Sequence, residues 1–114
     1  MIKNKQQISV STERNNNGEI KLYLYDLADF PKKNSKLETF AHAVLKKGEE
    51  VEFHIHEGES ESYYILSGNG VYNDNGTAVD VTKGTVTFTP SGCGHGIKNI
   101  SDENLEFIAL IIAD

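Results

Sequence analysis

The chain has 114 residues, enough for one domain with a core that needs no covalent staples, and 17 acidic against 11 basic residues leave it a formal net charge of −6. An acidic chain without a basic cluster argues against nucleic acid and anionic membrane as partners; its one cysteine, Cys93, excludes an internal disulfide and a cysteine-based zinc site. No apolar run approaches the roughly 20 residues of a membrane helix, and the N-terminus lacks the apolar stretch of a signal peptide, so a cytoplasmic location is expected.

In chain order, residues 1–36 are predicted as an N-terminal strand or arm and residues 37–114 as the core of the same single domain. The first segment carries one glycine, Gly18, in the turn Asn15-Asn16-Asn17-Gly18. A strand over 20–25 alternates Ile20, Leu22 and Leu24 with Lys21, Tyr23 and Tyr25. Residues 26–30 read as an irregular turn stopped by Pro31. Further strands are predicted over 39–45, 51–56, 61–66, 70–73, 77–81, 85–89, 95–99 and 105–113. Asp74-Asn75-Gly76 is a strong hairpin signal, because the favoured tight turn needs positive φ. Nine short strands and no amphipathic helix predict an all-β sandwich or barrel, in which closure or pairing hides the sheet edges.

Residues 51–56 alternate strictly, with Val51, Phe53 and Ile55 on one face and Glu52, His54 and His56 on the other. If strands 51–56 and 61–66 pair through residues 57–60, His56 lies opposite Glu61 and His54 opposite Tyr63. Opposed Cβ atoms stand roughly 4.5–5.5 Å apart, so two imidazoles and a carboxylate converge. That is a grip for a divalent metal ion that leaves coordination positions open. His95 sits in a glycine-rich turn, Ser91-Gly92-Cys93-Gly94-His95-Gly96, which lets the backbone approach closely and aims the ring inward. Glu57 and Glu59 are expected to be solvated, and Cys93 to point away from the site.

Gly48, His54, His56, Glu61 and Gly68, followed by Gly84, Pro90, Gly92, His95 and Asn99, stand at the spacings Gly-x5-His-x-His-x4-Glu-x6-Gly and Gly-x5-Pro-x-Gly-x2-His-x3-Asn. These resemble the two signature motifs of the cupin superfamily at every specified position. The resemblance implies an antiparallel β-barrel of jelly-roll type, the double-stranded β-helix. It also implies one metal ion held by His54, His56, Glu61 and His95. The stretches 63–68 and 105–110 are similar in texture to small cupins described as oxalate-decarboxylase-like.

Nitrogen and oxygen donors without thiolate suit Mn²⁺, Fe²⁺, Ni²⁺ or Zn²⁺. The expected function is a metal-dependent enzyme acting on a small oxygenated metabolite, of decarboxylase, dioxygenase or isomerase type. A non-catalytic small-molecule-binding or sensing module is the second reading. Tyr63, which shares the parity of Glu61, and His42, on the preceding strand, are the candidate catalytic groups; a structural role is the alternative for His42. Asn99 is expected to cap a turn. A homodimer is expected, because Val51, Phe53 and Ile55 would face out of the barrel and the last strand is apolar on both faces from Phe107 onward. The stripe Ile20, Leu22 and Leu24 is a possible cover for that surface from within the chain.

Overall fold

Ten antiparallel strands form two sheets in a computed structural model that describes residues 2, 4–15, 18–24 and 36–114. The strands are β1 (Ser9–Asn15), β2 (Gly18–Leu24), β3 (Leu37–Leu45), β4 (Glu50–Ile55) and β5 (Glu59–Ser67), then β6 (Asn69–Asp74), β7 (Thr77–Thr82), β8 (Val86–Thr89), β9 (Gly94–Asn99) and β10 (Leu105–Ala113). One sheet has the order β1-β2-β3-β10-β5-β8 and the other β4-β9-β6-β7. From β3 onward, with the β6–β7 hairpin taken as one unit, the chain alternates between the sheets, and the two inner faces close around one core as in a jelly roll. Among the described residues, no helix is long and apolar enough to cross a membrane.

The core follows from period-2 patterning. On β3, Ala41, Ala43 and Leu45 are buried while Phe40, His42 and Val44 take the other face. On β10, Leu105, Phe107 and Ala109 point inward, and Ile65 and Ile97 meet them from β5 and β9. Each large apolar side chain so buried contributes roughly 1.5–3 kcal/mol. Asn99, fully buried, ties a turn as expected: its Nδ2 donates to the carbonyls of Leu45 and Glu103 at 3.0 and 2.7 Å. The β6–β7 hairpin turns on Asn75 and Gly76, both at positive φ (49° and 104°), with Asp74 and Thr77 paired at its base.

Three expectations are corrected. The first concerns strand number. Nine strands were predicted, but β1 is added, pairing with β2 from Ser9↔Leu24 to Asn15↔Gly18. Its sequence, Ser-Val-Ser-Thr-Glu-Arg-Asn, holds one apolar residue and so no alternation; the free edge of β2 recruits it. The turn predicted over 26–30 lies outside the described residues, as do Asn16 and Asn17.

The second concerns pairing. β4 and β5 do not form a hairpin: β4 pairs with β9, and β5 lies between β10 and β8 in the other sheet. The intervening residues cross between sheets, because the loop before β9 satisfies their backbone. His56 N donates to Cys93 O at 3.0 Å, Gly92 N to His56 O at 2.7 Å, and Gly58 N to Ser91 Oγ at 2.9 Å.

The third concerns strand parity. Along β4 the register runs from Val51↔Ile97 to His54↔His95, three steps against two, so Glu52 and Phe53 bulge opposite Gly96. The bulge interrupts the alternation. Val51 faces inward with His54, while Phe53 and Ile55 stay outside at 48% and 58% exposure. Ile20 and Leu22 also turn inward, with Leu22 beside Ala43, and do not cover Phe53 or Ile55.

Candidate metal centre

Four side chains from both sheets meet inside the barrel. His54 on β4 and His95 on β9 are direct register partners, His56 follows β4 immediately, and Glu61 reaches in from β5 of the opposite sheet. His56 Nε2 lies 3.0 Å from His54 Nε2 and 3.1 Å from His95 Nε2. Glu61 Oε1 lies 2.9 Å from His56 Nε2, 2.7 Å from His95 Nε2 and 3.8 Å from His54 Nε2. All four donor atoms fall within 4.8 Å of one another. Metal–donor bonds of about 2.0–2.2 Å at right angles would set neighbouring donors about 3 Å apart, so these separations suit one ion among them.

The other nitrogen of each ring settles what the inward nitrogen offers. Nδ1–H of His54 donates to the Glu52 carbonyl at 2.8 Å, and Nδ1–H of His56 donates to Glu59 Oε1 at 3.0 Å. His95 Nδ1 lies 2.7 Å from the Tyr72 hydroxyl, which is itself 2.9 Å from Thr89 Oγ1. With Nδ1–H of His95 donating to Tyr72 and Tyr72 donating to Thr89, every ring keeps its proton outside and turns an Nε2 lone pair inward. Three lone pairs and a carboxylate aimed at one point repel each other unless a cation or protons stand between them. The donor set can therefore hold a metal ion.

Burial of Glu61 works against its charge, but where protons in place of a cation stand between the donors, hydrogen bonds from His54 and His95, with the positive charge of protonated His95 and His56, outweigh it and hold the carboxyl down at about 2. Glu59 is also lowered, first by a hydrogen bond with Glu38, whose own carboxyl is raised by sharing it, and then by His56. Burial pushes the Tyr72 phenol up, keeping it a neutral hydroxyl behind His95. No buried side-chain polar atom among the described residues lacks a partner.

A cavity of about 400 Å³ opens beside the cluster; His54, His56 and Glu61 form part of its wall. Tyr63, buried at 3% exposure, lines it too, its ring stacked on His95 with centroids 4.8 Å apart. His42 is not brought to the cavity. It occupies the opposite face of β3 from Ala41 and Ala43, with Nε2 2.8 Å from Glu106 Oε1 and its ring 5.6 Å from Tyr23. The candidate catalytic role for His42 is thereby corrected: strand parity sends it outward. Cys93 lies outside the four-donor cluster.

The supporting groups behind the histidines were less legible. Glu59 was expected to be solvated, yet it is half-buried and holds His56. Its signal was present: it shares parity with Glu61 and, as the first residue of β5, faces the same barrel interior. Tyr72 stands behind His95, a role that the β6–β9 pairing reveals.

A closed two-sheet barrel carrying three histidines and one glutamate inside defines the class as a jelly-roll protein with a candidate metal centre. The family model described as "Cupin domain" matches residues 41–111. The chain belongs to the cupin family. A Thermotoga maritima protein named oxalate-binding protein is 42% identical over 103 residues, which span 90% of this chain and 84% of that protein. The crystal structure of a predicted oxalate decarboxylase from Thermotoga maritima covers all of both chains with a TM-score of 0.89 at 36% identity. A cupin domain from Schizosaccharomyces pombe shares the fold, with a TM-score of 0.74 at 21% identity over 93% of this chain and 70% of that one.

Proposed function

We propose that the protein binds one divalent first-row metal ion through His54, His56, Glu61 and His95, and that this ion captures a small carboxylate-bearing metabolite in the adjoining cavity. The observation that carries this reading is the convergence of three Nε2 atoms on Glu61 Oε1, each ring held by an outer partner at Nδ1. A bound ion would supply open coordination positions for two oxygens of the metabolite and would act there as a Lewis acid. The protein supplies the rest: the outer partners fix the rings, Glu61 brings negative charge, and the barrel walls limit water. The names of the similar Thermotoga maritima proteins, an oxalate-binding protein and a predicted oxalate decarboxylase, support a small carboxylate as the ligand class.

Turnover is the second reading, and Tyr63 is the observation that favours it. Apart from the ligands, it is the titratable side chain among the described residues lining the cavity, and it packs on His95. On this reading its phenol would move a proton to or from a bound metabolite. Elemental analysis of purified protein, paired with calorimetric titration by oxalate, tests the binding reading. Close to one ion per chain and metal-dependent oxalate uptake are expected, and His56→Ala should lose most of both. A variant that kept full metal stoichiometry would overturn the ligand assignment. Product analysis with Tyr63→Phe separates binding from turnover.

We further propose that the chain acts as a homodimer. The outer face of the six-stranded sheet supports this, since it exposes Tyr64 on β5 beside Val86 and Phe88 on β8.

A further inference from the structure

The size and wall chemistry of the cavity do not match the smallest dicarboxylates. Its volume is about 400 Å³. Oxalate has about six nonhydrogen atoms, each taking less than the roughly 30 Å³ of a liquid water, so it fills less than half of that space. The remaining room is made by small residues. Ala41, Ala109 and Tyr63 lie in one row across β3, β10 and β5, with Ala43 the next inward residue of β3. Larger side chains at these alanines would close the space. Ile20, Leu22, Val51, Phe107 and Ile111 add hydrocarbon to the lining, in which Ser11 and Thr39 are the other polar residues besides the metal ligands and Tyr63.

Charge points the same way. A divalent ion and its four ligands carry a net charge of +1, with the Glu59 carboxylate lying outside them behind His56. A monoanionic chelator brings the assembly to neutrality. Oxalate, a dianion, leaves one negative charge uncompensated, and the described residues lining the cavity include no lysine or arginine to receive it. A charge left without a partner in a largely apolar cavity weakens binding, so oxalate should be taken up less tightly than a monoanion.

We infer that the preferred ligand is a monoanionic 2-oxo or 2-hydroxy carboxylate whose hydrocarbon side chain lies along the alanine row, rather than a bare dicarboxylate. This rests on the reading that the four-residue cluster holds a divalent ion which the ligand chelates through its carboxylate and neighbouring oxygen. The side chain then occupies the space between Ala41, Ala109, Ile20 and Leu22, and its length sets the specificity.

The test uses the full chain loaded with Co²⁺, with the metal-free protein as control. Calorimetry gives the affinities for oxalate, pyruvate and 4-methyl-2-oxopentanoate, and the visible spectrum of the ion reports whether each one enters its coordination sphere. At roughly fourfold per buried CH2, 4-methyl-2-oxopentanoate should bind at least tenfold more tightly than pyruvate, and also more tightly than oxalate. Ala109→Val should compress the ratio between the two oxo acids; if that variant does not fold, the wild-type series decides alone. Oxalate binding as tightly as 4-methyl-2-oxopentanoate, or the two oxo acids binding within threefold of each other, would overturn the inference while leaving metal-dependent carboxylate capture intact. Failure of all three acids to perturb the Co²⁺ spectrum would overturn both.

Discussion

Gly96→Ala tests whether the bulge in β4 sets the geometry of the cluster. A Cβ at Gly96 would stand 2.9 Å from Val51 O, 3.0 Å from Phe53 N and 3.1 Å from Phe53 Cα. All three are backbone atoms, so no side-chain rotation relieves the contact. The strand must retreat by a few tenths of an ångström, and the part that retreats is the bulge between Val51 and His54. Overpacking of this kind costs about 1–3 kcal/mol, offset by the roughly 0.5–1 kcal/mol that alanine gains over glycine inside a strand. The net loss of about 1–2 kcal/mol should lower the melting temperature of the metal-free protein by roughly 4–10 °C. His54 shifts with the bulge, away from its 3.0 Å approach to His56, so metal affinity should fall about tenfold, at the lower end of what a lost outer-shell support costs. Circular dichroism melting and a competitive metal titration measure the two effects. A Gly96→Ala protein with parental melting temperature and parental affinity would refute the role given to the bulge.

Glu59→Ala should weaken metal binding about 10–100-fold by freeing Nδ1 of His56; Glu59→Gln should lose less, because the amide oxygen still accepts that N–H, and equal affinities for both variants and the parent would remove Glu59 from the site. For the metal-free protein, the Glu61 carboxyl at about 2 against an ordinary 4.5 gives stability that is fully present above pH 4.5 and lost as pH falls toward 2, on the order of 3 kcal/mol. Urea titrations from pH 5 to 2 should therefore show a steeper loss for the parent than for Glu61→Gln, and parallel curves would contradict the charge-based account of Glu61. Light scattering at micromolar concentration should report about twice 12.6 kDa, and a monomer mass across the accessible range would dismiss the homodimer.

Much of the fold was legible because alternation is a local property. β3, β6, β7 and β10 lie where their apolar periodicity puts them, and the turn at Asn75-Gly76 follows from two residues that accept positive φ. β1 was illegible for the opposite reason. Its one apolar residue carries no pattern, and its extended form depends on the edge of β2. The β4 bulge was hidden as well. Val51-Glu52-Phe53-His54 alternates cleanly, and what breaks the register is the absence of a side chain at Gly96, 42 residues further along the chain. Alternation in one strand says nothing about the partner that will oppose it.

The ligand cluster survived the error in strand pairing, and the reason is geometric. A hairpin between β4 and β5 would have placed His56 and Glu61 side by side on one sheet. In the barrel they instead face each other from opposite sheets, and both arrangements require only that each side chain take the concave face. Parity decides that, and the bulge ends before His54, so His54 and His56 both lie beyond it and still converge. The observed arrangement makes the cluster something a hairpin site would not be: a link between layers. His54 and His95 belong to the four-stranded sheet, Glu61 to the six-stranded one. Other links between the sheets are the packing of Tyr63 on His95 and Tyr72 and the hydrogen bonds of Tyr72 to Thr89 and of Asn99 to Leu45. An ion at this position would bond to both layers at once, so the free energy of binding it is also free energy of holding the barrel closed.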